Sequence, residues 1–269
     1  MTVSIPIAVH GASGRMGRAL LRLAGARSDL SIVAALVGAD SSSAGRPLAR
    51  DVGDEAPDLA YAAALADDVH PAVLVDFSTA AAFDRALALA LSRRIAFVSG
   101  TTGLSDAQQA AMARAAETIP LLWSANFSVG VAILARLVRD AARLLGDWDC
   151  DIVEAHHRDK KDAPSGTALA LGRAVAQARE AEFAKVARLA RAGAAENARD
   201  PSEIGFAVVR GGDIVGEHAV VFATQGERVE LVHRATDRDI FARGALLAAL
   251  ALAGAPPGRH ELADLVARS

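Results

Sequence analysis

Apolar residues in the first half of the chain come in short runs separated by helical patterns. Ile5 to Val9 is strand-like, Gly11 to Gly17 supplies a turn, and Arg18 to Leu23 begins an amphipathic helix ending near Gly25. A second strand at Ile32 to Val37 leads into a Ser/Gly/Asp-rich loop from Gly38 to Gly53. Strands then alternate with helices: Ala72 to Asp76, the helix Ala80 to Leu91, Ile95 to Ser99, the helix Ser105 to Thr118, and Pro120 to Trp123. This alternation predicts a doubly wound parallel sheet with helices on both faces. The alanine patches at 62–64 and 80–82 read as helix formers.

After Asn126-Phe127-Ser128 the pattern changes. A helix from about Val129 to Leu145 precedes a strand at Asp149 to Ala155, and a long helix is expected from Thr167 to about Ala190. A polar loop, Ala192 to Glu203, leads to strand candidates Gly205 to Val209, Glu217 to Thr224 and Arg228 to His233. With no helices between them, these strands predict one open, antiparallel or mixed sheet. The apolar helix Asp239 to Ala253 is expected to pack back on the first domain. The expected division is residues 1–127, completed by 237–269, and residues 128–236. The fold class is therefore α/β, a Rossmann-like parallel sheet followed by an α+β domain on an open mixed sheet.

The 269 residues, 52% hydrophobic and 23% charged, are enough to bury a full core in each of two domains. A formal net charge of −3 argues against a nucleic-acid binder, so any positive site must be local. The single cysteine, Cys150, excludes an intramolecular disulfide and a cysteine metal cluster within one chain. The start, Met1-Thr2-Val3-Ser4-Ile5-Pro6, lacks a secretory pattern, and the Ala/Leu-rich stretch Gly244 to Ala255 is too short to span a membrane. A cytoplasmic protein without membrane partners is expected.

Gly11-Ala12-Ser13-Gly14-Arg15-Met16-Gly17 has the form G-x-x-G-x-x-G between a strand and a helix. In such a loop the glycines allow the tight turn, close approach of backbone to pyrophosphate, and helix packing. Arg15 adds a guanidinium at the phosphate position. The acid that usually holds the ribose belongs at the end of the second strand, where this chain has Val37-Gly38, with Asp40 the nearest carboxylate. Arg46 could reach a 2′-phosphate or stand as a solvated loop charge. Gly100-Thr101-Thr102-Gly103 and Ser124-Ala125-Asn126-Phe127 fall at later strand ends, where ligands of open α/β sheets bind.

The stretch Glu154-Ala155-His156-His157-Arg158-Asp159-Lys160-Lys161-Asp162-Ala163-Pro164-Ser165-Gly166-Thr167 sets imidazoles and cations beside a helix start. Ser165 is a favoured N-cap, so the N–H groups of Gly166 and Thr167 are expected to face a carboxylate. A strand continuing through His156 and His157 would point them to opposite faces, which argues against a shared metal; none is expected.

Together with Asp76-Phe77-Ser78, Ala125-Asn126-Phe127-Ser128-Val129-Gly130 and Gly211-Gly212-Asp213-Ile214-Val215-Gly216-Glu217-His218, these motifs closely resemble the dihydrodipicolinate reductase family over nearly the whole length. The resemblance implies a nicotinamide-dependent enzyme of lysine biosynthesis by the diaminopimelate route, acting on a small dicarboxylate and using NADH or NADPH. It implies His156 as the acid–base residue, Lys160 as the proton donor, and His157, Gly166 and Thr167 as substrate contacts. Cofactor contacts would be Gly11, Ala12, Ser13, Gly14, Arg15, Met16, Gly100, Thr101, Thr102, Ser124, Ala125, Asn126 and Phe127. Val37-Gly38 departs from the family's usual acidic residue and leaves cofactor preference open. The resemblance further implies a cytoplasmic homotetramer built through the C-terminal sheets. Where the chain leaves and re-enters the first domain, Phe127 to Gly130 and Arg234 to Asp237 are candidate hinges. Two rivals remain at this stage: another two-domain nicotinamide-dependent dehydrogenase, and a protein that senses the nucleotide without chemistry.

Overall fold

The structure, a computed structural model, describes residues 4–53, 56–191 and 198–266. It divides into two compact units, Met1–Val129 with Asp239–Ser269, and Gly130–Arg238.

The first unit runs β1 (Ile5–His10), α1 (Arg15–Gly25), β2 (Leu30–Leu36), α2 (Ala49–Val52), β3 (Tyr61–Ala62), β4 (Val73–Asp76), α3 (Ala80–Arg93), β5 (Ala96–Ser99), α4 (Asp106–Ala116) and β6 (Pro120–Trp123). The second holds α5 (Val129–Leu144) from its second residue on, then β7 (Asp149–His156), α6 (Gly166–Ala178), α7 (Phe183–Val186), β8 (Ala187–Arg188), β9 (Ile204–Arg210), β10 (Gly216–Thr224) and β11 (Glu227–Ala235). The chain returns to the first with α8 (Asp239–Leu252), β12 (Gly258–Arg259) and α9 (Leu262–Val266).

Seven strands in the order β12-β6-β5-β4-β1-β2-β3 pair in parallel throughout. Side chains alternate along each strand. Ala8, Leu74, Phe97 and Leu121 therefore share one face, where they pack with Phe83, Ala86 and Ala90 of α3 and Met112 and Ala115 of α4. Phe83 meets Phe97 edge-on at 5.9 Å, and burying each ring contributes about 1.5–3 kcal/mol. Helix α1 buries Gly17, Leu20, Leu21 and Ala24, the one-face spacing of an amphipathic helix. Helix α8 packs on α1 and on β4, β5 and β6, as its apolar sequence predicts. Every α/β alternation read from the sequence is present. The alanines at 62–64 are the exception, because Tyr61 is fully buried and Tyr61–Ala62 pairs with Ala35 and Leu36 of β2. One buried aromatic and an edge ladder outweigh the helix propensity of three alanines.

The second sheet has the order β11-β10-β7-β9-β8 and is mixed: β10 is antiparallel to β11 and β7, while β7, β9 and β8 run parallel. One face packs Ile152, Phe206, Val220 and Phe222 against Leu134 and Val138 of α5 and Leu171 and Val175 of α6. The helix expected to reach Ala190 stops at Ala178. Glu180 takes φ +54°, and Arg179 turns its guanidinium to the carbonyls of Leu145 and Trp148 at 3.1 and 2.7 Å. The chain then folds back and packs Phe183 against Phe206 over Gly172, a tertiary contact that local propensity does not report. Of the predicted polar loop Ala192 to Glu203, residues 192–197 lie outside the described ones. No helix among the described residues is long and apolar enough to cross a membrane.

Candidate active site

In the first unit, β1 ends at a turn that only glycine fits. Gly11 has φ +74°, and a Cβ there would lie 2.5 Å from the carbonyl oxygen of Phe77; at Gly17 it would lie 2.3 Å from that of Gly11. Gly14 precedes α1 without a side-chain cap, unlike α4, which Ser105 and Gln108 close with a capping box. The first-turn N–H groups of α1 thus lack a side-chain acceptor, which suits a pyrophosphate. Ala12 is fully buried and its N–H donates to Leu36, whereas Ser13 and Met16 are half-buried and Arg15 is exposed.

Beside this loop sits a buried carboxylate, that of Asp76. Asp76 accepts from His10 Nδ1 (2.8 Å), Ser99 Oγ (2.9 Å), Thr101 Oγ1 (2.7 Å) and the Ser78 N–H (3.3 Å). Burial pushes its pKa up, but hydrogen bonds led by His10 outweigh this and hold it below the ordinary carboxylate value. The network ties the carboxyl ends of β1, β4 and β5 together, where the sheet presents its ligand face. Thr101 is spent inside it: its hydroxyl serves Asp76 and its carbonyl accepts from Trp123 Nε1. Gly100 packs under the Phe77 ring, and Thr102 is exposed. Ser124 Oγ donates to the Asn126 carbonyl, Asn126 Oδ1 accepts from the Ser128 N–H, Ala125 is exposed, and buried Phe127 meets Phe77 at 5.3 Å. At the end of β2 nothing lies within 4 Å of a Cβ on Gly38, and Asp40 is exposed. Arg46 is bonded to Ser43 and Asp51. A hollow of about 370 Å³ is lined by Arg15, Arg18 and the Arg22–Asp239 pair, with Asp51 at its wall.

In the second unit, β7 is the middle strand, and period-two alternation puts Glu154 and His156 on one face. Register completes the cluster, with His218 of β10 opposite Glu154 and Arg210 of β9 opposite His156. The Glu154 carboxylate accepts from His156 Nδ1 at 2.6 Å, from both terminal nitrogens of Arg210 at 2.8 Å, and from the Ser165 N–H at 2.9 Å. Burial pushes its pKa up, and these bonds, Arg210 first, bring it net below the ordinary value. Burial pulls His156 down, offset in part by Glu154. His218 stands edge-on to His156 at 5.2 Å and contacts Ser165 Oγ at 3.1 Å; burial pushes it down to about 4.

Ser165 caps α6 as expected, accepting from the Ala168 N–H. Beside Gly166 the space is open, with no atom within 4 Å of a Cβ position. Lys160 is placed 2.9 Å from Asp162 Oδ1. The Lys160 ammonium, and with it the Gly166 N–H, hold Asp162 below its ordinary pKa. The strand ends at His156, so half-buried His157 begins the turn that leads to Lys160 rather than continuing the alternation. Structure thus brings His156, Ser165 and the start of α6 together through Glu154, and pairs Lys160 with Asp162 shortly before Gly166. Glu154 was findable from its spacing to His156. Arg210 and His218 were not, because strand register is invisible in sequence. Cys150 is buried in β7, and burial drives its thiol up to about 12, which removes it as a thiolate nucleophile.

The N-terminal description of dihydrodipicolinate reductase matches residues 5–127, and the C-terminal description matches residues 130–266. The chain belongs to the dihydrodipicolinate reductase family. It is 49% identical to the 4-hydroxy-tetrahydrodipicolinate reductase of Xanthomonas campestris pv. campestris (strain B100), covering 99% of this chain and 100% of the relative. The enzyme of the same name from Stenotrophomonas maltophilia (strain R551-3) is 50% identical, with 96% of each covered. Among solved structures, the dipicolinate-bound dihydrodipicolinate reductase from Paenisporosarcina sp. TG-14 shares the fold, at a TM-score of 0.76 and 21% identity over 96% of this chain and 98% of that one. As a member of the dihydrodipicolinate reductase family the chain is an enzyme, an NAD(P)H-dependent oxidoreductase with its nucleotide on the first unit.

Proposed function

We propose that this reductase converts 4-hydroxy-tetrahydrodipicolinate, a cyclic imine with two carboxylates, to tetrahydrodipicolinate with loss of water, His156 and Lys160 carrying the acid–base chemistry. One observation supports this reading of the site: the Lys160 ammonium already holds a carboxylate, that of Asp162 at 2.9 Å, just ahead of the open start of α6. Groups that hold one carboxylate can hold another. A substrate carboxylate would replace Asp162 there, with His157 and Thr167 at its edges. Asp162→Asn is therefore expected to tighten pyridine-2,6-dicarboxylate several-fold by calorimetry, because the internal competitor loses its charge; unchanged or weaker binding would remove Asp162 from the anion site.

When bound, the nicotinamide supplies the hydride. The chain would hold it at Gly11 to Met16, where the glycine contacts and the uncapped α1 fit a pyrophosphate. Loss of the ring hydroxyl with a proton of the neighbouring methylene releases water and sets a C=C in conjugation with the imine; hydride addition to the far carbon of that C=C leaves electron density toward the ring nitrogen, so a proton must follow. Lys160 supplies it, and His156, drawn toward its neutral form by burial, accepts and returns protons beside it. The open end of β2 and the guanidinium groups of Arg15 and Arg18 support use of NADPH as well as NADH. Steady-state turnover with both nicotinamides, on substrate generated in situ by the preceding enzyme, tests the reading. NADPH is expected to give a kcat/KM at least equal to that of NADH, and no consumption of either would end the proposal.

The second sheet's outer face exposes Val153, Val209 and Val232. These support a cytoplasmic homotetramer assembled through this sheet. Light scattering should give four chains per particle; a monomer would refute it.

A further inference from the structure

Glu154 is wholly buried and takes four N–H donors drawn from β7, β9 and the cap of α6. An ionised carboxylate has no proton to give. Across the 2.6 Å contact the hydrogen must therefore sit on His156 Nδ1, which leaves Nε2 as the nitrogen that gains and loses a proton. A Cβ on Gly216 would come within 3.1 Å of Nε2, so the smallest residue stands where a larger one would crowd that nitrogen. The same carboxylate takes the N–H of Ser165, whose own side chain caps α6. A single side chain thus fixes both the ring and the first turn of the helix.

We propose that Glu154, with Arg210 as its counter-ion, is a positioning residue that holds His156 in the Nδ1–H tautomer and fixes that ring in register with the start of α6. The inference rests on His156 being the acid–base residue. The groups facing His156 are Glu154 on its own strand, Arg210 on β9, His218 on β10 and Lys160 on the turn after β7. His218, at about 4, stays neutral through the working range and does not confuse the titration. A purely structural ion pair would hold the fold together without controlling which imidazole nitrogen titrates.

Nitrogen NMR of histidine-labelled enzyme, with His156 assigned by His156→Asn, separates the two. In the wild type at pH 8, His156 is expected with Nδ1 protonated and Nε2 bare. In Glu154→Gln it should titrate at lower pH, because the stabilising anion is gone, and kcat should fall about tenfold or more while KM for NADPH holds. An Nε2–H tautomer in the wild type, or an unmoved titration in Glu154→Gln, would overturn the inference. If Glu154→Gln does not fold, the wild-type tautomer alone decides. Full turnover by His156→Asn would instead overturn the acid–base reading, and it is distinguishable because neither NMR readout depends on turnover.

Discussion

Replacing Lys160 with Met is expected to lower kcat/KM by roughly 10²–10⁴, the usual worth of a positioned proton donor, while the affinity for NADH or NADPH stays unchanged. Met keeps the length and bulk of the stem but has neither charge nor proton. The Lys160–Asp162 pair is partly open to solvent, with Asp162 59% exposed, so its loss should cost the fold no more than about 1 kcal/mol. Activity lost with the melting temperature intact is therefore the signature. Binding of pyridine-2,6-dicarboxylate should weaken as well, because the same ammonium attracts the dianion. Turnover within a few-fold of wild type would place the proton source elsewhere.

Gly17→Ala should be a severely damaging single methyl at the cofactor turn. The added carbon would lie 2.3 Å from the Gly11 carbonyl oxygen and 2.5 Å from that of Ala12, both main-chain atoms that move only if the β1–α1 turn moves. Overpacking of this kind costs about 1–3 kcal/mol, and the roughly 1 kcal/mol that α1 gains from Ala over Gly does not offset it. A displaced turn carries its N–H groups away from the pyrophosphate, so KM for the nicotinamide should rise about tenfold or more, each factor of ten being about 1.4 kcal/mol. Gly146→Ala is the control, since no atom lies within 4 Å of a Cβ there. Thermal melts and cofactor titrations of the two variants make the comparison; equal behaviour would mean that the turn tolerates the methyl.

Local chemistry explains which parts of this molecule were legible in advance. The β1–α1 glycine turn and the Ser165 cap are dictated by neighbouring residues, and both appear where the sequence put them. The strands β9, β10 and β11 were legible as strands, and their mixed sheet as one of the arrangements expected, yet their register was not. Register is what delivers Arg210 and His218 to Glu154 and His156. Helix α6 was overextended for a related reason, since the contacts of Arg179 and Phe183 that end it come from distant segments. At Thr101 it was the tertiary partner that was not legible. Its place at a strand end predicted a ligand contact, while its hydroxyl is committed to a buried carboxylate 25 positions earlier.

The central claim is that a dicarboxylate sits at the start of α6 with the Lys160 ammonium beside it. A crystal structure with NADPH and pyridine-2,6-dicarboxylate tests it most directly. One carboxylate of the inhibitor is expected within hydrogen-bonding distance of the Gly166 N–H and Lys160 Nζ, with Asp162 displaced from both. An inhibitor bound away from Gly166 and Lys160, with Asp162 still in place, would contradict the account.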